Sequence, residues 1–140
     1  MLIDNRAGLN IVSIALLRQL DYFEESIDPH HKITIKAYDE VKQKSLGLAV
    51  LPLHIGPVER DVTCQVLNIP LAYNIFLGRS WIHEMHVMPS TYHQCIEFPL
   101  HGFEVVILAS TSYTCNMLKV AENFVPTNRE STNYHDNKIK

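Results

Sequence analysis

Asp4 is the first residue of the chain able to do acid–base chemistry, and its setting is specific. It follows a short apolar run, Met1-Leu2-Ile3, and precedes a turn, Asn5-Arg6-Ala7-Gly8. One carboxylate there does little alone. Two copies brought face to face, about 3 Å apart, cannot both ionise, so they share one proton. One then serves as base on a water while the other donates to a scissile carbonyl. A single chain supplies one such aspartate, so this chemistry needs a symmetric dimer.

Three other groupings contain reactive residue types. His83, His86, His93 and Cys95 could ligate zinc, but the spacing His-x2-His-x6-His-x-Cys is not a standard zinc pattern. No metal and no cofactor are expected. Ser13 with His30 or His31 has the side chains of a hydrolase triad, yet nothing places Ser13 on a nucleophile elbow. Cys64, Cys95 and Cys115 are odd in number and far apart, with no CxxC pair. Neither a disulfide framework nor a four-cysteine zinc site fits them, so a reduced, cytoplasmic setting is expected.

The elements that must position Asp4 are short. Residues 1–4 read as the tail of a strand. Ser13, a good N-cap, precedes Ile14, Leu16, Leu17 and Leu20, which predicts a helix over 14–21. Lys32 to Ala37 alternates polar and apolar, as a half-buried strand does, and Asp39 to Lys44 reads as a hairpin tip. The lysines at 32, 36, 42 and 44 form a solvated face that resists aggregation. Leu46, Leu48 and Val50 alternate, then Leu51, Leu53 and Ile55 take over. That slip predicts a bulge at Leu51-Pro52 on an edge strand. Val62, Cys64 and Val66 form the next run. Tyr73 to Leu77 reads as a strand ended by Gly78, and Arg79 to Met85 as a brief helix. Gln94–Phe98 and Phe103–Leu108 read as two strands of a hairpin. This totals about seven strands with one or two short helices, a mainly β fold.

The composition sets the class. The chain has 140 residues, 46% apolar and 19% charged, with a net charge of −3. This is one ordinary globular domain's worth of sequence. The charge argues against a basic nucleic-acid-binding face. No apolar run approaches the ~18 residues of a membrane span. Neither nucleic acid nor membrane is expected as a partner. From Thr111 the periodicity fades, and 109–140 reads as an unrelated polar tail, largely disordered, behind a folded unit of 1–108.

Leu2-Ile3-Asp4-Asn5-Arg6-Ala7-Gly8-Leu9-Asn10-Ile11 resembles the active-site strand and turn of retropepsin-like aspartic proteases, and more narrowly the protease region of plant gypsy-type retrotransposon polyproteins. The register holds onward. Ala37-Tyr38-Asp39, then Leu46-Gly47 and Leu51-Pro52, is similar to the family's flap hairpin. Ala72-Tyr73-Asn74-Ile75-Phe76-Leu77-Gly78-Arg79-Ser80-Trp81-Ile82-His83, running on into Pro89 to Gln94, resembles its apolar-apolar-Gly-Arg segment.

The resemblance implies a small closed β barrel that dimerises, with the active site across the two-fold axis. Asp4 would be one half of the catalytic dyad, and Asn5, Arg6 and Ala7 its turn. Ala37, Tyr38, Asp39 and Glu40 would belong to a flap over an extended peptide. Leu77, Gly78 and Arg79 would lie behind the turn, Gly78 where a side chain would intrude.

The chain departs from that pattern. The family's turn reads Asp, then Ser or Thr, then Gly, where this chain has Asn5 and Arg6. The hydroxyl normally bonds across the dimer axis, and Asn5 alters that interlock. If Arg6 points at the dyad, its cation favours ionised carboxylates and works against the shared proton; if it points away, the backbone must still accept a Cβ where Gly was suited. Glu40 stands where the flap tip commonly has Gly. The relatives also carry sequence ahead of this strand, so an N-terminal interface strand is expected to be missing. Two functions are implied: a catalytically impaired aspartic endopeptidase of a retrotransposon polyprotein, or a non-catalytic remnant that binds peptide or self-associates.

Overall fold

Residues at every second position of Gly47–Ile55 are buried, from Gly47 through Ala49, Leu51 and Leu53 to Ile55. This strand, β5, pairs antiparallel with β6, Val58–Leu67, in one unbroken register from Gly47↔Val66 to Ile55↔Val58. The expected bulge at Leu51-Pro52 is therefore absent. Leu48 and Val50 face outward, and the small residues Gly47 and Ala49 hold the inner phase. Pro52 is tolerated because β5 is an edge strand, where a missing N–H breaks no second ladder.

A computed structural model describes residues 1–36, 40–109 and 124–127. Its architecture is mainly β with two short α-helices. The first sheet contains β1 (Leu2–Ile3), β2 (Ile11–Ser13), β5, β6 and β7 (Ile75–Leu77), in the order β1-β7-β2-β6-β5. β1 runs parallel to β7, and β2 runs antiparallel to it on the other side. The chain therefore leaves β1, turns over the C-terminal end of β7, and returns as β2. That crossing point is where Asp4 lies.

The second sheet joins β8 (Met88–Ser90), β9 (Cys95–Leu100), β10 (Phe103–Leu108) and β11 (Phe124–Thr127), in the order β11-β10-β9-β8. β11 falls within the stretch expected to be an unstructured tail, and it pairs antiparallel with β10. The rest of that stretch, 110–123 and 128–140, lies outside the described residues. The pairs Phe98↔Val105 and Ile96↔Ile107 put four buried side chains on one face of the hairpin. They join Val12, Leu17, Leu51, Val66, Leu77 and Trp81 in one core between the two larger sheets. Among the described residues the strand pairings group into these two larger sheets and one two-stranded sheet.

A third, two-stranded sheet pairs β3 (Thr34–Lys36) with β4 (Lys42–Lys44). Lys42 to Lys44, read from sequence as part of the tip, is the returning strand of this hairpin. Its polar sequence carries no apolar alternation to announce it.

Helix α1, Ile14–Gln19, is capped by Ser13, whose Oγ accepts from Leu16 N at 3.2 Å. Such a cap contributes about 1 kcal/mol. The hydroxyl considered for a triad is thus buried and engaged in starting a helix. α2 spans Arg79–Glu84 and buries Trp81 and Ile82. No helix among the described residues is long and apolar enough to cross a membrane.

Candidate active site

Asp4 is half-buried at the crest of the β1–β2 turn, with Asn5 and Arg6 exposed beside it. The turn is fastened at each corner. Asp4 N donates to Leu77 O at 2.9 Å, extending the β1–β7 ladder by one bond. Ala7 N donates to Asp4 O at 3.2 Å, which closes the turn. Arg6 N donates to Asp4 Oδ1 at 2.8 Å, so the carboxylate is oriented by the turn's own backbone. Aspartate favours such turns because its side chain reaches the amide two residues on.

A further bond fixes the turn to the start of α2. Ala7 O accepts from Arg79 N at 2.8 Å. Arg79 is the first residue of α2, and its N–H has no partner within a helix. One bond therefore satisfies the helix start and anchors the turn. Gly78, between β7 and α2, packs against the turn's carbonyls. A Cβ on Gly78 would sit 2.7 Å from Ala7 O and would also clash with Leu9 O. Only hydrogen fits there. Arg79 itself is exposed, and its Nη2 lies near Gly8, 3.6 Å from where a Cβ on Gly8 would be.

Asn10 completes the support, and nothing in the sequence pattern singles it out as doing so. It is buried, its Oδ1 accepts from Gly78 N at 2.9 Å, and its Nδ2 donates to Thr63 O at 3.1 Å. Its backbone carbonyl also accepts from Gln65 N at 2.8 Å. One amide thus ties the end of the turn to β6 and to Gly78. The available signal was a polar residue set directly against the apolar run Ile11-Val12.

Asp4, Asn5, Arg6, Ala7, Leu77, Gly78 and Arg79 are therefore brought together around one crossing. Ala37, Tyr38 and Asp39 lie outside the described residues. Glu40 has φ of 63°, a left-handed backbone that glycine adopts without strain. Its carboxylate pairs with Lys36 Nζ at 3.3 Å. Among the described residues no three His, Cys, Asp or Glu side chains converge as a metal site would require. His93 Nδ1 instead contacts Ser90 Oγ at 3.0 Å, and Cys95 Sγ contacts Glu97 Oε1 at 3.8 Å.

No family model matches the chain, and no curated protein matches it. A solved structure does: the retroviral protease-like domain of Ddi1 from Leishmania major, with a TM-score of 0.51. The likeness covers 69% of this chain and 70% of that one. The fold is retropepsin-like. At 12% identity the likeness speaks for the fold alone. Within this retropepsin-like fold the crossing of β1, β7 and β2 brings one carboxylate, Asp4, to the tip of a turn held by backbone bonds to Leu77 and Arg79.

Proposed function

We propose that Asp4 is one half of an aspartic-endopeptidase site that a second copy of the chain completes. The substrate is an extended peptide of a polyprotein. The reading is supported above all by the Asp4 turn, whose carboxylate is oriented by Arg6 N at 2.8 Å within a retropepsin-like fold. An oriented carboxylate on a rigid crest is what a symmetric dyad needs, since misplacement across the axis would separate the pair. Ala37 to Glu40 belong to the flap, the folded unit includes residues 1–108, and the larger sheets close as a small barrel. The long segment Ala72 to Gln94 supports an origin in a plant gypsy-type element. Neither nucleic acid nor membrane is a partner, and the setting is cytoplasmic.

The activity of this chain is weak. Arg6 adds a cation to the Asp4 turn, and Asn5 replaces the hydroxyl that would interlock two turns. The exposed Arg6 favours a second reading, a peptide-binding or self-associating module that no longer cleaves. Light scattering on the eluting chain tests what both the site and its geometry require. A dimer supports a two-aspartate site, and a strict monomer at high concentration removes it.

A further inference from the structure

β5 is the last strand of the first sheet among the described residues, so one side of its backbone faces β6 and the other faces outward. Asp28 identifies the outward set. Its N–H donates to Leu48 O at 2.8 Å, and its carbonyl accepts from Leu48 N at 3.0 Å. These are the two bonds of an antiparallel bridge. The chain then leaves the edge through Pro29–His31, where His31 O is held by Gln65 Nε2 at 3.2 Å.

Main-chain groups alternate sides along a strand, so Val50, Pro52 and His54 present theirs to the same edge as Leu48. Among the described residues those outward groups have no hydrogen-bond partner. All three residues are exposed, Val50 to 50%. The edge thus offers a donor and an acceptor at Val50, an acceptor alone at Pro52, and a donor and an acceptor at His54. Such a row is a template for a further strand.

Pro52 selects the occupant. Pairing β5 with β5 of a second copy about Pro52 would set two carbonyls face to face with no N–H between them. A strand with any other residue at that place supplies the missing donor. The side chains narrow the choice further. Pro52 lies opposite Asp61 across the β5–β6 ladder, and His54 opposite Glu59. His54 and Glu59 pair with each other at 3.0 Å. Asp61 is exposed and has no ion pair among the described residues. A residue added opposite Pro52 stands in one row with Pro52 and Asp61. The proline ring is short, so the apolar stem of a lysine or arginine can lie across it and carry its charge to Asp61. Two residues along, the added strand meets Val50, which an apolar side chain suits.

We infer that the outer edge of β5 binds an extended segment of another protein by antiparallel strand addition. That segment has a basic residue opposite Pro52 and an apolar residue opposite Val50. Main-chain bonds hold it, and the flanking side chains choose it. β5 and β1 are opposite edges of the sheet, so this surface does not use Asp4 and does not depend on the proposed function.

The test is a titration of the 15N-labelled full chain with the blocked peptide acetyl-Thr-Val-Thr-Lys-Thr-Val-Thr-amide, followed by amide shifts. The expected result is saturable shifts at Val50 and His54. A peptide N-methylated at its lysine, which removes the donor to Pro52 O, no longer binds. One N-methylated at the next threonine, whose N–H points away from β5, still does. Glutamate in place of lysine weakens binding about fivefold. Asp61→Asn, a change at an exposed position, narrows that difference. The inference is overturned by an absence of saturable shifts at these two amides. Equal binding of the two N-methylated peptides, or of the lysine and glutamate peptides, also overturns it. So do shifts at Val50 and His54 that follow the chain's own concentration without peptide, which would mark pairing with a second copy.

Discussion

Asn10 Oδ1 accepts from Gly78 N at 2.9 Å, and this bond joins two residues 68 positions apart at the back of the Asp4 turn. The same side chain holds Thr63 O through Nδ2. The two bonds make Asn10 the brace between the turn, β6 and the start of α2.

Asn10→Leu is accordingly expected to strand the buried Gly78 N–H and to remove a donor from the part-buried Thr63 carbonyl. A buried group left unpaired costs about 1–3 kcal/mol. Urea denaturation should show a fall in stability within that range or above it. Asn10→Asp keeps the acceptor for Gly78 N but sets a carboxylate oxygen against Thr63 O at a buried position, so it should also be destabilising, and more so as pH rises and the carboxyl ionises.

Gly78→Ala tests the close approach directly. The added methyl meets backbone carbonyls of Ala7 and Leu9, which cannot swing aside as a side-chain tip can. A loss of about 3 kcal/mol, the upper end for overpacking, is expected in the same denaturation experiment. Gly8→Ala, where the nearest atom is Arg79 Nη2 at 3.6 Å, should be close to neutral.

Some of this framework is legible in the sequence, and some is not, for physical reasons. The Ser13 cap, the strand ending at Gly78 and the hairpin of Phe98 and Val105 come from local rules of capping and alternation. β5 does not, because apolar residues occupy both of its faces and only pairing with β6 decides which is inside. Three-residue strands such as β2 and β8 are too short for any periodicity to show. Asn10 and Gln65 are, in sequence, ordinary polar residues. Their roles arise from partners more than thirty positions away, which no local pattern encodes.

Cys64 is buried in β6, and desolvation of the thiolate pushes its pKa up to about 12. The thiolate is the reactive form, so Cys64 should be inert in the native state at pH 8. Timed alkylation with peptide mapping should label Cys64 only under conditions that unfold the chain. Rapid native labelling of Cys64 would contradict its burial.

Asp28 gives the expected pH dependence. The His30 N–H and the His31 ring bond its carboxylate and hold it below its ordinary 3.8. A carboxyl lowered in the folded state contributes stability that is present above its unfolded value. That contribution is lost as pH falls from about 3.8 through the lowered folded value. Asp28→Asn should therefore show a shallower acid-side decline in stability than the parent chain. The carboxylate is open to water on one side, so the difference is modest.

Peptide cleavage with the turn repaired tests the Asp4 dyad most directly. Asn5→Ser with Arg6→Gly removes the cation and restores a hydroxyl, leaving Asp4 and its supports in place. The measurement is cleavage of an extended-peptide library between about pH 4 and 6, where one shared proton serves two carboxyls. If Asp4 is half of a dyad, this variant cleaves well above the parent chain, and adding Asp4→Asn abolishes the activity. A repaired variant that is a demonstrated dimer and stays inert, or cleavage that survives Asp4→Asn, would contradict that assignment.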